Sequence, residues 1–89
     1  SILVTGATGS FGKRFIKTVL KSFEPKKLII YSRDELKQFE MQQDLPDSLY
    51  SCLRYFIGDV RDLTRLRTAM EDVDYVIHCS LVFQIRNRQ

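Results

Sequence analysis

The 89-residue sequence predicts an α/β fold in which four parallel strands, in the order 3-2-1-4, form a sheet with helices on both faces. Short apolar runs alternate with helical segments along the chain, which is typical of βαβ units and a parallel sheet. A glycine-rich turn joins the first apolar run to the first helical pattern. Because crossovers between parallel strands are right-handed, few topologies remain, and we expect the N-terminal half of a doubly wound, three-layer sheet.

Four short apolar runs predict the strands. Each is short enough for a buried strand, and turn-forming residues such as Gly6 and Gly58 stop the first and the third. The predicted strands cover residues 2–4, 28–31, 53–57 and 73–77.

The first predicted helix repeats an apolar residue every four positions, at Phe11, Phe15, Val19 and Phe23, and Pro25 ends it. A third helix is predicted over residues 62–70. Its apolar face consists of Leu63, Leu66 and Met70.

The second helix is predicted over residues 33–43. Ser32 with Glu35 three positions later matches a capping box, which indicates a helix start. The helix is only weakly amphipathic, and we expect Leu36 and Phe39 to lie on its buried face.

Composition excludes several classes of protein. The net charge is +3, with basic residues spread among acidic ones, so a nucleic-acid interface is not expected. No apolar run is long enough to span a bilayer and no signal peptide is visible, so we expect a cytoplasmic protein. Cys52 and Cys79 are too few for a disulfide scaffold. Because these two cysteines and the single histidine are far apart in sequence, we expect no zinc site.

The glycine turn carries the main functional signal. Gly6, Gly9 and Gly12 stand between a strand and a helix, where glycine permits a sharp turn and close approach of the backbone to a pyrophosphate. This context predicts a Rossmann-like dinucleotide site, the alternative being a plain tight turn. A mononucleotide P-loop is excluded because five residues separate Gly6 from Gly12 and Arg14 follows Lys13.

The end of the second strand predicts which dinucleotide is bound. An acidic residue there favours NAD, whereas a basic one accommodates the 2′-phosphate of NADP. Arg33 stands at this point with Ser32 before it and Lys37 one helical turn later, which favours NADP over NAD. Ser32 can instead be only a helix cap, and Lys37 only a solvated surface residue.

Two further strand ends should line the same crevice. Asp59 can accept a hydrogen bond from the adenine amino group while Val60 flanks the ring, although Asp59 can also merely cap the next turn. Cys79 ends the fourth strand and is expected to form a small wall of the site. His78 is interpreted as a packed or hydrogen-bonded histidine rather than a base, because no catalytic arrangement surrounds it.

Four segments together resemble one known family. TGATGSFG, YSRDELKQFEMQQ, FIGDVRD and VDYVIH are similar to the N-terminal region of extended short-chain dehydrogenase/reductases. More narrowly, they resemble the polysaccharide-biosynthesis group typified by NADP-dependent UDP-N-acetylglucosamine 4,6-dehydratases. The resemblance implies oxidation of the sugar C4 hydroxyl by NADP⁺, elimination of water across C5–C6 and return of the hydride at C6.

The resemblance also implies which residues contact the cofactor. Pyrophosphate contact is implied for Thr8, Gly9, Ser10 and Phe11. Contact with the ribose and its 2′-phosphate is implied for the run Ser32, Arg33, Asp34, Glu35, Leu36 and Lys37. The implied adenine contacts, Asp59 and Val60, and the wall at Cys79 agree with the assignments made from the residues themselves.

The resemblance ends near residue 79. The family continues with small alanines, a leucine and a functional lysine, whereas Phe83 stands near the expected place of that lysine. We therefore expect residues 1–79 to be an NADP-binding half-domain and residues 80–89 to be an atypical tail outside the family. Because the chain starts at Ser1 directly on a strand pattern, we expect a fragment or a truncated or frameshifted product of a larger protein.

Three functions remain open at this point. The first is the cofactor-binding part of a nucleotide-sugar 4,6-dehydratase of bacterial surface polysaccharide biosynthesis, without turnover of its own because no catalytic residue is assigned. The second is an NAD(P)-binding regulatory or interaction module, in which a partner or a second copy pairs with the unpaired edge of the fourth strand. The third is another extended short-chain dehydrogenase, such as a nucleotide-sugar epimerase.

Overall fold

A computed structural model describes residues 1–79 and 81–84, which form a five-stranded sheet flanked by three helices. The strands are β1 (Ile2–Thr5), β2 (Leu28–Ser32), β3 (Leu53–Ile57), β4 (Tyr75–His78) and β5 (Leu81–Gln84). The helices are α1 (Ser10–Ser22), α2 (Glu35–Asp44) and α3 (Leu63–Ala69).

The strand order is β3-β2-β1-β4-β5, and the first four strands are mutually parallel. The predicted order 3-2-1-4 is therefore confirmed. β5 is an addition that the sequence pattern did not reveal, and it pairs antiparallel with β4. The expectation of an unpaired β4 edge was wrong, because only two residues separate β5 from β4 in sequence and so short a connection closes at little entropic cost. Of the predicted tail, residues 80 and 85–89 lie outside the described residues.

One face of the sheet packs against α1 and α2. Apolar residues at alternate positions of β1, β2 and β3 point to this face and meet the buried stripe of each helix, and this is the larger of the two apolar clusters. Its buried members include Val4, Ile16, Val19, Leu28, Ile30, Met41, Leu45 and Leu53.

The opposite face packs against α3. Leu3, Ile29 and Tyr31, at the intervening strand positions, contact Ala69 and Val73 in a second buried cluster. Helices therefore cover both faces, as the alternating pattern predicted.

The predicted buried face of α2 was wrong. Leu36 and Phe39 are 67% and 60% exposed, whereas Gln38 and Met41 are buried. The buried stripe starts with a polar residue because the Gln38 side chain donates hydrogen bonds from Nε2 to the carbonyl oxygens of Ile30 (3.2 Å) and Phe56 (3.1 Å). These two bonds satisfy the amide nitrogen, whereas the buried Oε1 of Gln38 has no hydrogen-bond partner among the described residues. A partly hydrogen-bonded amide thus occupies a core position that apolar periodicity assigns elsewhere.

The cap of α2 also differs from the predicted capping box. Asp34 is the N-cap, and its side chain accepts a hydrogen bond from the Lys37 backbone N–H. The Ser32 hydroxyl accepts from the Asp34 backbone N–H instead. Asp34 stands three positions before Lys37, as an N-cap requires, so the helix begins two residues later than predicted.

Apolar residues at the helix ends are more exposed than the periodicity predicted. Phe11 and Phe23, at the two ends of the α1 repeat, are 62% and 63% exposed, and Leu63, the first residue of α3, is 61% exposed. The buried contacts are carried by Ile16 and Val19 in the interior of α1 and by Ala69 at the C-terminal end of α3.

A matched pair of substitutions in α2 tests this corrected face. Met41→Ala should lower the free energy of unfolding by ~2–5 kcal/mol, because Met41 is 1% exposed in the core. Phe39→Ala, on the exposed side of the same helix, should change it by less than ~0.5 kcal/mol. Urea denaturation followed by circular dichroism measures both, and a larger loss for Phe39→Ala would contradict the described orientation of α2.

Candidate functional site

The parallel register brings four strand ends level at one edge of the sheet. Thr5 at the end of β1 pairs with Tyr31 of β2 and His78 of β4, and Tyr31 pairs with Phe56 of β3. A cleft of about 400 Å³ opens at this carboxyl edge. It is lined by Thr5, Gly6, Tyr31, Ser32, Arg33, Asp34, Gly58, Asp59, Val60, Arg61 and His78.

A second cleft of about 480 Å³ lies on the other side of the glycine turn, between the start of α1 and α2. Three cationic side chains and one carboxylate face it, so it is electropositive. Its lining consists of Thr8, Gly9, Lys13, Arg14, Lys37 and Glu40.

The three glycines of the turn have different structural roles. Gly6 has a φ of 68°, a left-handed conformation that L side chains rarely adopt. Gly12 is packed so closely that a Cβ atom there would lie 2.1 Å from the carbonyl oxygen of Ala7. Gly9 is the N-cap of α1, and a Cβ atom there would meet nothing within 4 Å. The first and third glycines therefore shape the turn, and Gly9 leaves open space at the helix N-terminus, where an anion is favoured.

His78, the last residue of β4, lies against Gly6 at the start of the glycine turn. Its Nδ1 lies 2.7 Å from the Thr5 hydroxyl, and its ring atom Cε1 would lie 3.2 Å from a Cβ atom on Gly6. The predicted hydrogen-bonded histidine is confirmed by this contact, although the ring lines the cleft and is exposed rather than packed in the core.

Tyr31 supports the loop that follows β3. Its buried ring stacks on Phe56, with centroids 5.6 Å apart, and its hydroxyl donates a 2.9 Å hydrogen bond to the carbonyl oxygen of Asp59. Gly58 makes this contact feasible, because a Cβ atom there would lie 2.4 Å from the Tyr31 hydroxyl oxygen. Burial raises the pKa of Tyr31, so the phenol remains a hydrogen-bond donor at neutral pH.

Arg65 of α3 fixes the same region from the other side. Its guanidinium lies 4.3 Å from the centroid of the Phe56 ring, and its Nε donates a 2.8 Å hydrogen bond to the carbonyl oxygen of Ile57. The loop after β3 is therefore held on both sides by aromatic and guanidinium contacts.

The Asp59 carboxylate is the most highly hydrogen-bonded charge of the cleft. Arg61 donates to it from its backbone N–H and from both ends of its guanidinium, and Arg33 donates one longer bond of 3.4 Å. Hydrogen bonds from Arg61 hold the pKa of Asp59 well below its usual range, so this carboxylate is ionised at neutral pH. Two guanidinium groups, those of Arg33 and Arg61, lie against this one carboxylate, so positive charge is in excess around Asp59.

Comparison with known proteins gives the family. A family model described as "Polysaccharide biosynthesis protein" matches residues 2–85. The chain belongs to this family. The resemblance to the polysaccharide-biosynthesis group of extended short-chain dehydrogenase/reductases is thereby confirmed.

Members and relatives of the family differ in function. The chain is 59% identical over 80 residues to a UDP-N-acetylglucosamine 4,6-dehydratase (inverting) of Campylobacter jejuni, covering 90% of this chain and 23% of that protein. It is 39% identical over 88 residues to a UDP-glucose 4-epimerase of Rickettsia bellii, covering 96% of this chain and 25% of that protein. This chain thus spans about a quarter of the length of these relatives.

A solved structure has the same fold as this chain. The X-ray structure of Pen from Bacillus thuringiensis superimposes with a TM-score of 0.75 at 40% identity, over 88% of this chain and 23% of that one. The α/β Rossmann-like architecture is therefore confirmed.

The structure separates the predicted site residues into three groups. The first cleft contains Gly6, Ser32, Arg33, Asp34, Asp59 and Val60. The second contains Thr8, Gly9 and Lys37, so Lys37 lies beside the glycine turn rather than with Arg33. Five further predicted residues lie outside the lining of these two clefts: Phe11, Gly12, Glu35, Leu36 and Cys79. For Ser10 only the backbone position is described.

Residues of the last group have other positions in the fold. Ser10 begins α1, and Glu35 begins α2. Cys79 follows β4, where its backbone N–H donates to the Thr5 carbonyl oxygen and its half-buried side chain packs against the larger cluster. Burial raises the pKa of the Cys79 thiol, which fits a small wall residue better than a reactive one.

Sequence reasoning missed the residues that support the site. Tyr31 and Arg61 line the first cleft but carried no prediction. Two signals were present in the sequence. The aromatic Tyr31 stands one residue before the end of β2, and a glycine follows β3 directly. An arginine stands two positions after Asp59, within reach of its carboxylate.

Within residues 1–79, no group of three metal-binding side chains comes together, and no described helix is long and apolar enough to cross a membrane.

A pair of glycine substitutions tests the roles of the turn. Gly12→Ala should lower the free energy of unfolding by ~1–3 kcal/mol, because its Cβ atom overlaps the Ala7 carbonyl. Gly9→Ala should cost less, about 0.5–1 kcal/mol, because its Cβ atom meets open space and only the N-cap preference for glycine over alanine is lost. Denaturant unfolding compares the two variants, and equal destabilisation would contradict the described geometry of the turn.

Proposed function

We propose that this chain binds NADP across the two clefts and is the cofactor-binding portion of a nucleotide-sugar 4,6-dehydratase that acts on UDP-N-acetylglucosamine. The observation that carries the proposal is the convergence of a glycine turn, an exposed Arg33 and an ionised Asp59 at the carboxyl edge of a parallel sheet. Dinucleotides bind at this edge in doubly wound folds.

The first cleft suits the adenosine half of the cofactor. Asp59 offers carboxylate oxygens to the adenine amino group, and the 52% exposed side chain of Val60 offers an apolar contact for the ring. Ser32 accepts from the Asp34 backbone N–H and keeps its own O–H as a donor for the ribose or its phosphate. Cys79 does not line this cleft; it packs beside the end of β1, where its backbone N–H donates to the Thr5 carbonyl oxygen.

The glycine turn suits the pyrophosphate. Gly9 caps α1 without a side chain, and the first backbone N–H groups of a helix have no partner within the helix. Ser10 and Phe11, as the first residues of α1, supply such N–H groups, and Thr8 precedes them. Arg14 and Lys37 add positive charge in the second cleft, which favours the same anion, whereas Lys13 is ion-paired with Asp44 at 2.6 Å.

Arg33 favours NADP over NAD. Its side chain is 71% exposed at the end of β2, where the 2′-position of the ribose is expected. The nearest acidic residue, Asp34, already uses one carboxylate oxygen to cap α2, so it is poorly placed to act as the ribose-binding acid of an NAD site. Arginine can grip a phosphate with two parallel hydrogen bonds.

The reaction and substrate rest on the C. jejuni relative at 59% identity. When bound, NADP⁺ would supply hydride acceptance from the sugar and its later return. This chain's residues would hold and orient the dinucleotide, and no described residue of the first cleft forms an acid–base pair suited to eliminating water from a sugar. We therefore expect this chain to bind the cofactor without turning over a sugar nucleotide.

A UDP-sugar 4-epimerase is the second candidate, favoured by the R. bellii relative at 39% identity over 88 residues. Incubating the natural protein that carries this segment with UDP-N-acetylglucosamine and with UDP-glucose separates the two. Mass spectrometry detecting loss of water from UDP-N-acetylglucosamine supports the dehydratase. Conversion of either sugar to its C4 epimer without a change in mass supports the epimerase.

Isothermal titration calorimetry tests the cofactor assignment. NADP should bind more tightly than NAD to the 89-residue chain, and Arg33→Ala should weaken NADP binding by about tenfold or more, because a charged hydrogen bond contributes ~1.5–3 kcal/mol. NAD binding should change far less, since NAD lacks the 2′-phosphate.

Arg67→Ala is the matched control, because it removes the same charge from α3, away from the residues that line either cleft. It should leave both affinities nearly unchanged. Tighter binding of NAD than of NADP by the unaltered chain would show that the Arg33 assignment is wrong.

A further inference from the structure

The hydrogen bonds of Asp59 set a limit on what else can bind it. Oδ1 accepts from the backbone N–H of Arg61 at 2.9 Å and from its Nε at 3.1 Å. Oδ2 accepts from Nη2 of Arg61 at 2.8 Å and from Nη1 of Arg33 at 3.4 Å. A carboxylate has about four lone-pair positions, so the four donors fill its capacity.

The two arginines hold Asp59 unequally. Arg61 is two residues away in sequence and makes three of the four bonds, including both ends of a guanidinium fork. Arg33 comes from another strand end and makes one bond, which is the longest of the four, from a side chain that is 71% exposed. Arg33 is therefore the donor that can leave at least cost.

An adenine amino group is itself a hydrogen-bond donor, so it needs an acceptor position on Asp59 that Arg33 occupies. A 2′-phosphate offers Arg33 a new anionic partner with bidentate geometry. NAD has no 2′-phosphate for Arg33 to bind, so the Arg33 guanidinium stays on Asp59. The adenine amino group of NAD must then compete with this guanidinium for Oδ2.

We propose that Arg33 exchanges Asp59 for the 2′-phosphate when the dinucleotide binds, so that recognition of the phosphate and recognition of the adenine amino group are coupled. This inference rests on the proposed function and extends it. Arg33 would then determine specificity twice, by binding the phosphate and by releasing Asp59 to the base.

A thermodynamic cycle of four ligands measures the coupling. NADP, NAD and their deamino analogues, in which hypoxanthine replaces adenine, are titrated into the 89-residue chain by calorimetry. The loss of affinity from NADP to its deamino analogue should be at least about fivefold larger than the loss from NAD to its deamino analogue. A factor of about five is at the low end of the couplings measured between linked sites.

Arg33→Ala provides the decisive comparison. With the competing guanidinium removed, Asp59 keeps a free acceptor position whether or not the ligand has a phosphate. Replacing adenine with hypoxanthine should then weaken NADP and NAD by the same factor, even though NADP itself binds more weakly. Arg67→Ala should retain the coupling of the unaltered chain.

The outcomes separate the two proposals. If NADP and NAD both bind the unaltered chain and lose affinity by the same factor when the amino group is removed, the exchange is overturned and the proposed function stands. Coupling that persists in Arg33→Ala would also overturn it. Failure of all four dinucleotides to bind the folded chain would overturn the proposed function and the exchange together.

Discussion

Everything at the candidate site depends on the level alignment of four parallel strand ends. Parallel pairing places Thr5, Tyr31 and His78 in register, and the loop after β3 then continues beside the end of β2. Side chains far apart in sequence, such as Arg33 and Asp59, meet only because of this alignment. The packing of α1 and α2 on one face and of α3 on the other holds the sheet that maintains it.

The carboxyl edge of the sheet is closely packed around Asp59 and open around Gly9. Tyr31 and Gly58 are packed against each other, and this contact holds the Asp59 backbone. Arg61 then fixes the carboxylate. Gly9, by contrast, leaves open space at the start of α1. A fixed carboxylate at Asp59 and open space at Gly9 would suit the polar base and the bulky pyrophosphate of the dinucleotide proposed above.

Much of the fold could be predicted because it follows from local patterns. β3 has the predicted bounds, and the predicted order of the four parallel strands is confirmed. The buried face of α2 could not be predicted, because Gln38 stands where an apolar residue is expected. Only its Nε2 is hydrogen-bonded, to carbonyl groups of β2 and β3 that local sequence does not show as partners. β5 was missed because a short apolar run does not show by itself that it pairs with the preceding strand.

Much of the candidate site was also predictable, since strand ends and glycines mark it directly. The clustering of Arg33, Asp59 and Arg61 was not, because it depends on side-chain reach across two strand ends. The most direct test of a dinucleotide site at this edge is an NMR titration of the isotopically labelled chain with NADP. The site predicts saturable shift changes concentrated at the amides of Gly6, Gly9, Arg33 and Asp59, and little change on the exposed side of α3. Changes spread evenly over the chain, or none at saturating NADP, would contradict it.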